Sequence, residues 1–251
     1  MRILTRSGIA AIGILHIMIG AIALGIATGT SSGEADQSGA LHQISAIPGG
    51  TVLLWIVLIG MLALCGWQII TALLANNPAP LRRWSFRVVE LGKGVGYVVI
   101  AATAFTFARG SSTSTAEITR RATVRLLELP GGGIIIVIVG LVVLAVGISF
   151  AFSGLTARFS SAIRVPNGAG GVATIVLGIL GYTTKGLALC LVGLVFVFAP
   201  FTVDRDRLSG MDGALKGLME LPYGDVTLTV IGAGLVAYGV FFILRARLVR
   251  L

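Results

Sequence analysis

The sequence predicts an all-α membrane protein: six transmembrane helices built as three tandem two-helix repeats, with pseudo-symmetry about the membrane normal. Three observations predict it. Apolar residues are 56% of the 251-residue chain and charged residues 12%, with a mean hydropathy of +0.99; soluble proteins carry about 45–50% and about 25%. Six stretches are long and apolar enough to cross a hydrocarbon core about 30 Å thick, which takes about 20 residues of helix. The same punctuation recurs after the first, third and fifth of them.

The first stretch, 7–33, carries no charge, and within it 9–27 is apolar apart from His16. The second, 52–75, is uncharged. The third, 88–108, has Glu90 and Lys93 near its start. The fourth, 131–157, is uncharged, the fifth, 172–200, contains Lys185, and the sixth, 226–244, is uncharged. All six are continuous rather than alternating runs, which excludes a transmembrane β-barrel. Arg2, Arg6, the apolar run and small residues near Ala21 and Ala23 have the outline of a signal peptide. The first stretch nevertheless shares its pattern with two internal ones, so a retained span is expected.

That pattern is carried by glycines. Gly8-x4-Gly13-x6-Gly20 aligns without a gap on Gly181-x4-Gly186-x6-Gly193, and Gly94 and Ala101 fall at the second and third positions of the middle copy. Lys93 and Lys185 both precede the shared glycine, where the first copy has Ile12. The loops after the odd spans end alike, in Ile47-Pro48-Gly49-Gly50, Leu129-Pro130-Gly131-Gly132 and Leu221-Pro222-Tyr223-Gly224. Each follows a short amphipathic segment (Leu41, Ile44, Ile47; Val124, Leu127; Leu215, Leu218, Met219) suited to lying in the outer interface or to capping the bundle mouth. Proline stops one helix and can open the next. The even spans then carry Gly140 and Gly147 at 10 and 17 residues past Pro130, and Gly232 and Gly239 at the same offsets past Pro222; Leu58 and Cys65 stand there in the first copy. The repeats are therefore 1–77, 78–157 and 158–251. Two spans return the chain to its starting side, so all copies share one orientation and the axis relating them lies along the membrane normal.

A Gly-x4-Gly span, an outer segment closing on Leu-Pro-x-Gly and a second glycine-bearing span, three times over, resembles the bacterial "domain of unknown function 1206" family. The resemblance covers nearly the whole chain. The family's Gly-Tyr-x-x-Lys-Gly start is matched best at Gly181-Tyr182-Thr183-Thr184-Lys185-Gly186; the middle copy keeps Lys93-Gly94 and a downstream Tyr97, and the first puts Ile12 and His16 there. The resemblance implies a triplicated pair of transmembrane helices and a membrane location, and supplies no activity.

Charge sets the expected orientation. With both termini cytoplasmic, the inner segments hold Arg2, Arg6, Arg82, Arg83, Arg87, Arg158, Arg164, Arg245, Arg247 and Arg250, against Arg109, Arg120, Arg121, Arg125, Arg205, Arg207 and Lys216 outside, which satisfies the positive-inside rule. Every acid except Glu90 falls in the outer loops. Topology thus accounts for the net charge of +9 without nucleic acid as a partner. The expected location is the cell membrane, multi-pass. Sixteen arginines against three lysines, with much Ala and Gly, point to a GC-rich bacterium and hence its inner membrane.

The intramembrane polar candidates are His16, Glu90, Lys93 and Lys185. Ionisable groups within a span are costly and by default mark function. Their structural alternatives are snorkelling for Lys93 and Lys185, neutralisation of Lys93 by Glu90 three residues before it, and a hydrogen bond from His16 to another helix. The helix-packing candidates are Gly13, Gly20, Gly94, Gly186, Gly193, Gly232 and Gly239, with Gly133, Gly140, Gly147 and Gly154 recurring every seven residues along one drifting face. Asp204-Arg205-Asp206-Arg207 reads as a self-paired solvated loop.

No catalytic residue, metal site or cofactor is expected. Phosphate-loop, His-Glu-x-x-His, Gly-x-Ser-x-Gly and Cys-x-x-Cys-His patterns are all missing, and Cys65 and Cys190 fall inside apolar runs. The protein is therefore expected not to be an enzyme. The leading expectation is a scaffold or accessory subunit of a larger membrane complex, its partners being membrane lipids, other subunits or further copies of itself. The alternatives are a small-solute or ion transporter or channel, with the four polar candidates facing one interior, and a lipid- or quinone-binding protein.

Overall fold

The computed structural model describes residues 2–74, 80–163, 165–201 and 208–248. The Asp204–Arg207 loop and the boundary between repeats at 77/78 lie outside the described residues. In chain order the helices are α1 (Arg2–Ala27), α2 (Gln37–Ala46), α3 (Gly50–Leu73), α4 (Pro80–Ala108), α5 (Thr115–Leu127), α6 (Gly132–Leu155), α7 (Ala169–Phe198), α8 (Met211–Leu218) and α9 (Gly224–Leu248), with no β-strand among the described residues. Six are long and apolar enough to cross a membrane: α1, α3, α4, α6, α7 and α9. The short helices α2, α5 and α8 each sit between the two spans of one repeat, where the amphipathic segments fall in the sequence.

The turn entering each even span is built alike in all three copies. Gly49 and Gly131 adopt left-handed backbone (φ 79° each), and Tyr223 at the third equivalent position also has positive φ, 62°. The next residue donates its N–H back three residues, Gly50 to Ile47 O at 2.9 Å, Gly132 to Leu129 O at 2.9 Å and Gly224 to Leu221 O at 3.0 Å. A Cβ on any of these three would collide with the carbonyl of Ile44, Leu126 or Leu218. The second glycine of the motif is thus required by close approach, while the first position is favoured as glycine by its left-handed backbone, which Tyr223 adopts in the third copy.

The described chain forms two compact units, residues 2–12 with 41–113 and residues 13–40 with 114–248. These units do not follow the repeat boundaries. The reason lies in the seams, because the even span of one repeat packs on the odd span of another. In the second unit Gly140 and Gly147 of α6 meet α7 with almost no gap: a Cβ on Gly140 would lie 2.8 Å from Gly193 O, and one on Gly147 would lie 2.8 Å from Gly186 O. The same arrangement joins α9 to α1, where a Cβ on Gly20 would lie 2.6 Å from Gly232 O and one on Gly13 would lie 2.7 Å from Gly239 O. Small residues bring backbones together, and in lipid that packing drives association. Gly154 is equally tight, at 2.5 Å from Thr183 Oγ1, but Gly133 meets only Pro200 at an ordinary 3.5 Å. The seven-residue glycine line is a close seam over three of its four members.

In the first unit α3 packs on α4 more loosely. Gly94 has 3.8 Å to Gln68 Cβ and 3.9 Å to Cys65 Sγ, since α3 carries Leu58 and Cys65 where the other even spans carry glycine. The second unit has a buried core at one end of α6 and α7, formed by Ile136, Val192, Phe196, Ala199, Leu208 and Ala214, with Val124 and Leu127 of α5 packed against it. Leu215 and Leu218 of α8 are also buried. The apolar sides of α5 and α8 are thus turned into protein.

Candidate functional site

The buried polar centre of the second unit is assembled by α1, α7 and α9. Gly181 lets α9 approach so closely that a Cβ there would lie 2.5 Å from the backbone of Tyr238. Tyr182 and Lys185, three apart, share a face of α7. Lys185 is the seventeenth residue of this 30-residue helix, and its amine reaches inward, 2.9 Å from His16 Nε2 on α1. Both residues are only 9% exposed. The amine does not snorkel, and among the described residues no carboxylate forms an ion pair with it.

Aromatic rings enclose the pair. The His16 ring lies 4.8 Å from Tyr238, which meets Tyr182 at 5.2 Å and Phe242 at 4.5 Å. Phe159, delivered by a 3-10 turn (Arg158–Ala162), stacks on Tyr182 at 5.0 Å and 10°. Arg245 Nη1, in the last turn of α9, donates to Tyr182 Oη at 3.0 Å. A lysine, an imidazole, two tyrosines and an arginine are therefore held within one apolar helical bundle.

Glu90 and Lys93 belong to the first unit. Glu90 is buried and accepts from Gln68 Nε2 of α3 at 2.6 Å and from Lys93 Nζ at 2.7 Å. The Lys93 side chain is half exposed. Both Glu90 oxygens are thus used, and the group closes on itself. Gln68 was not legible as its partner; a lone amide inside an apolar run is a weak signal.

A second polar cluster, in the loops of the second unit, was missed by sequence reasoning, which placed its acids in the outer loops and gave them no partners. Asp36 and Asp212 are almost wholly buried. Asp36 accepts from Ser38 Oγ at 2.7 Å and from Gly39 N at 3.0 Å. Asp212 accepts from Ala35 N at 2.8 Å and pairs with Lys216 at 3.0 Å. Ser114 donates to Glu34 at 2.5 Å, and Thr115 N donates to Ser38 at 2.9 Å. Loop residues of all three repeats are thereby tied together. Burial pushes the Asp36 carboxyl above its ordinary value, and its hydrogen bonds from Gly39 and Ser38 oppose this. The available signal was capping: Asp36 immediately precedes α2, and Ser114 caps the N-terminus of α5, its Oγ accepting from Glu117 N. Glu117 is drawn down to about 2 by hydrogen bonds from Arg120 and then Arg121. Among the described residues no three of His, Cys, Asp and Glu converge as a metal site.

The turn at Gly50, Gly132 and Gly224 recurs in all three copies and the close glycine seam in two, α6–α7 and α9–α1, while the Tyr182–Lys185 face belongs to the third copy. The family described as "Domain of Unknown Function (DUF1206)" matches residues 7–75, 91–157 and 180–248. The chain belongs to this family. Its three matched segments correspond to the three helix pairs, one span pair each. The chain is similar to "Uncharacterized protein YxxB" of Bacillus subtilis (strain 168), 27% identical over 246 residues, covering 96% of this chain and 88% of that protein. No solved structure matches.

Proposed function

We propose that this family member is a bacterial cell-membrane transporter of an ion or small solute, with Lys185 and His16 as its polar site. One observation carries the reading: Lys185 turns into the bundle against His16 where snorkelling would have placed it in the headgroups. An ionisable group held inside a membrane bundle costs several kcal/mol and marks pathways or relays. The excess of Arg on the segments flanking the termini supports a cytoplasmic location for both ends. The protein acts without chemistry on its solute and without a cofactor. Vesicles reconstituted with the purified chain test this by ion flux. Lys185→Leu is expected to abolish the flux while the protein stays helical and monodisperse; unchanged flux removes the reading.

A second reading, an accessory subunit or homo-oligomer, is favoured by α6. Its outward residues Ile134, Ile138, Leu141, Val142, Ile148 and Leu155 are 51–69% exposed, a broad apolar face for lipid or for a partner helix. Native mass spectrometry from a mild detergent tests it. A bare monomer counts against it, and a retained second chain supports it.

A further inference from the structure

The centre around Lys185 is lined by closely packed aromatic side chains, and this limits what it can hold. We infer that His16 and Lys185 share a single proton, so that the solute handled within the second unit is H⁺. This rests on the transporter reading and names its solute.

The contact distance comes first. Two nitrogens 2.9 Å apart are joined by one hydrogen and one lone pair. An ammonium donating to Nε2 requires the imidazole proton on Nδ1; an imidazole donating from Nε2 requires a neutral amine. In every such arrangement the pair carries at most one positive charge. A second proton would remove the lone pair and set two cations against each other in a bundle where, among the described residues, no carboxylate pairs with Lys185.

The surroundings come second. Aromatic rings line the pair at close packing distances. A hydrated ion or an organic solute needs a cavity; a proton needs only hydrogen-bonding groups. Among the described residues, His16 from α1, Lys185 and Tyr182 from α7, and Tyr238 and Arg245 from α9 are titratable or charged groups facing the centre, while α6 has no titratable side chain over Gly132–Leu155. The Arg245–Tyr182 contact sets a guanidinium and a hydroxyl one helical turn from Lys185, toward the end of α9. Transfer balances over one cycle: Lys185 Nζ gives its proton to His16 Nε2, the imidazolium releases its Nδ1 proton to water, the neutral ring exchanges its Nε2 proton for one on Nδ1, and a proton taken up by the neutral amine restores the ammonium that donates to Nε2.

The chain has two histidines, His16 and His42, so His42→Gln leaves His16 as the single imidazole reporter. The full chain with ring-¹⁵N histidine, in nanodiscs, gives the proton positions by NMR. Vesicles holding a pH dye, with a potassium gradient and valinomycin, give proton flux. The expected result is a singly protonated His16 whose Nε2 resonance shifts in Lys185→Met, with flux falling to the protein-free background in Lys185→Met and His16→Leu but not in Lys93→Met. Lys185→Arg guards against misfolding: arginine keeps the donor but does not release its proton, so the contact should remain and flux should vanish. A shared proton without flux leaves the shared proton standing but overturns both the transporter reading and H⁺ as its solute. Potassium or chloride flux with a His16 resonance indifferent to Lys185 preserves the transporter and overturns the inference, as does full proton flux in Lys185→Arg.

Discussion

At residue scale, the same kinds of side chain have different consequences in different settings. Glu90 is buried and accepts from both Gln68 and Lys93, whereas Lys93 is half exposed. Glu90→Ala orphans the Gln68 amide in an apolar setting and should cost about 1–3 kcal/mol. Lys93→Ala leaves the Glu90–Gln68 contact in place and should cost less. Thermal unfolding in micelles ranks the two, and an equal loss would show that Glu90 does not bridge the helices. The loop acids divide by pH. Asp36 has its pKa raised by burial above 3.8, so the folded state binds its proton more tightly. Its contribution improves as pH falls through the raised value and is complete below 3.8. Asp36→Asn can still accept both hydrogen bonds and should melt higher at neutral pH, with the gain shrinking in acid. Glu117 has the opposite sign: lowered from 4.5 to about 2, its stabilisation is present above 4.5 and lost as pH falls toward 2. Glu117→Gln should therefore flatten the acid limb of the melting curve over that interval. The sequence marked Lys185 and His16 as separate candidates, but pairing them required knowing which faces of α1 and α7 meet. Asp36 and Asp212 read only as outer-loop acids, because a loop position hides burial by neighbouring loops.

At element scale, the repeat resides in turns and seams. Ala at Gly50, Gly132 or Gly224 places a Cβ against a fixed backbone carbonyl and should cost about 1–3 kcal/mol, as overpacking does. Tyr223 holds positive φ at about 1–3 kcal/mol of strain, so Tyr223→Gly should stabilise the third repeat or leave it unchanged. A loss of stability would show that the tyrosine ring contributes more than its backbone costs. Gly147→Ala should disrupt the α6–α7 seam while Gly133→Ala is tolerated, since only the former faces a backbone within 2.8 Å. The six spans were legible because length and hydropathy suffice for them. The amphipathic segments were legible as helices, but which way their apolar sides turned was not. Both lipid and protein reward the same residues; Leu215 and Leu218 turn inward while Ile47 remains half exposed.

At the scale of the whole molecule, one hairpin was used three times, and its copies meet through one another's spans. Sequence self-similarity revealed the repeats. It could not reveal that α6 prefers α7 and α9 prefers α1, because a glycine line shows that a helix packs closely and not on what. The central claim is that all three copies enter the membrane the same way up. Single cysteines at Thr30, Ser111, Tyr223 and Ser161, in a chain with Cys65 and Cys190 replaced by serine, test it by labelling intact cells with a membrane-impermeant maleimide. The account predicts labelling at 30, 111 and 223 from outside, and at 161 only after the membrane is opened. Protection of any of the first three, or labelling of Ser161→Cys in intact cells, would contradict it.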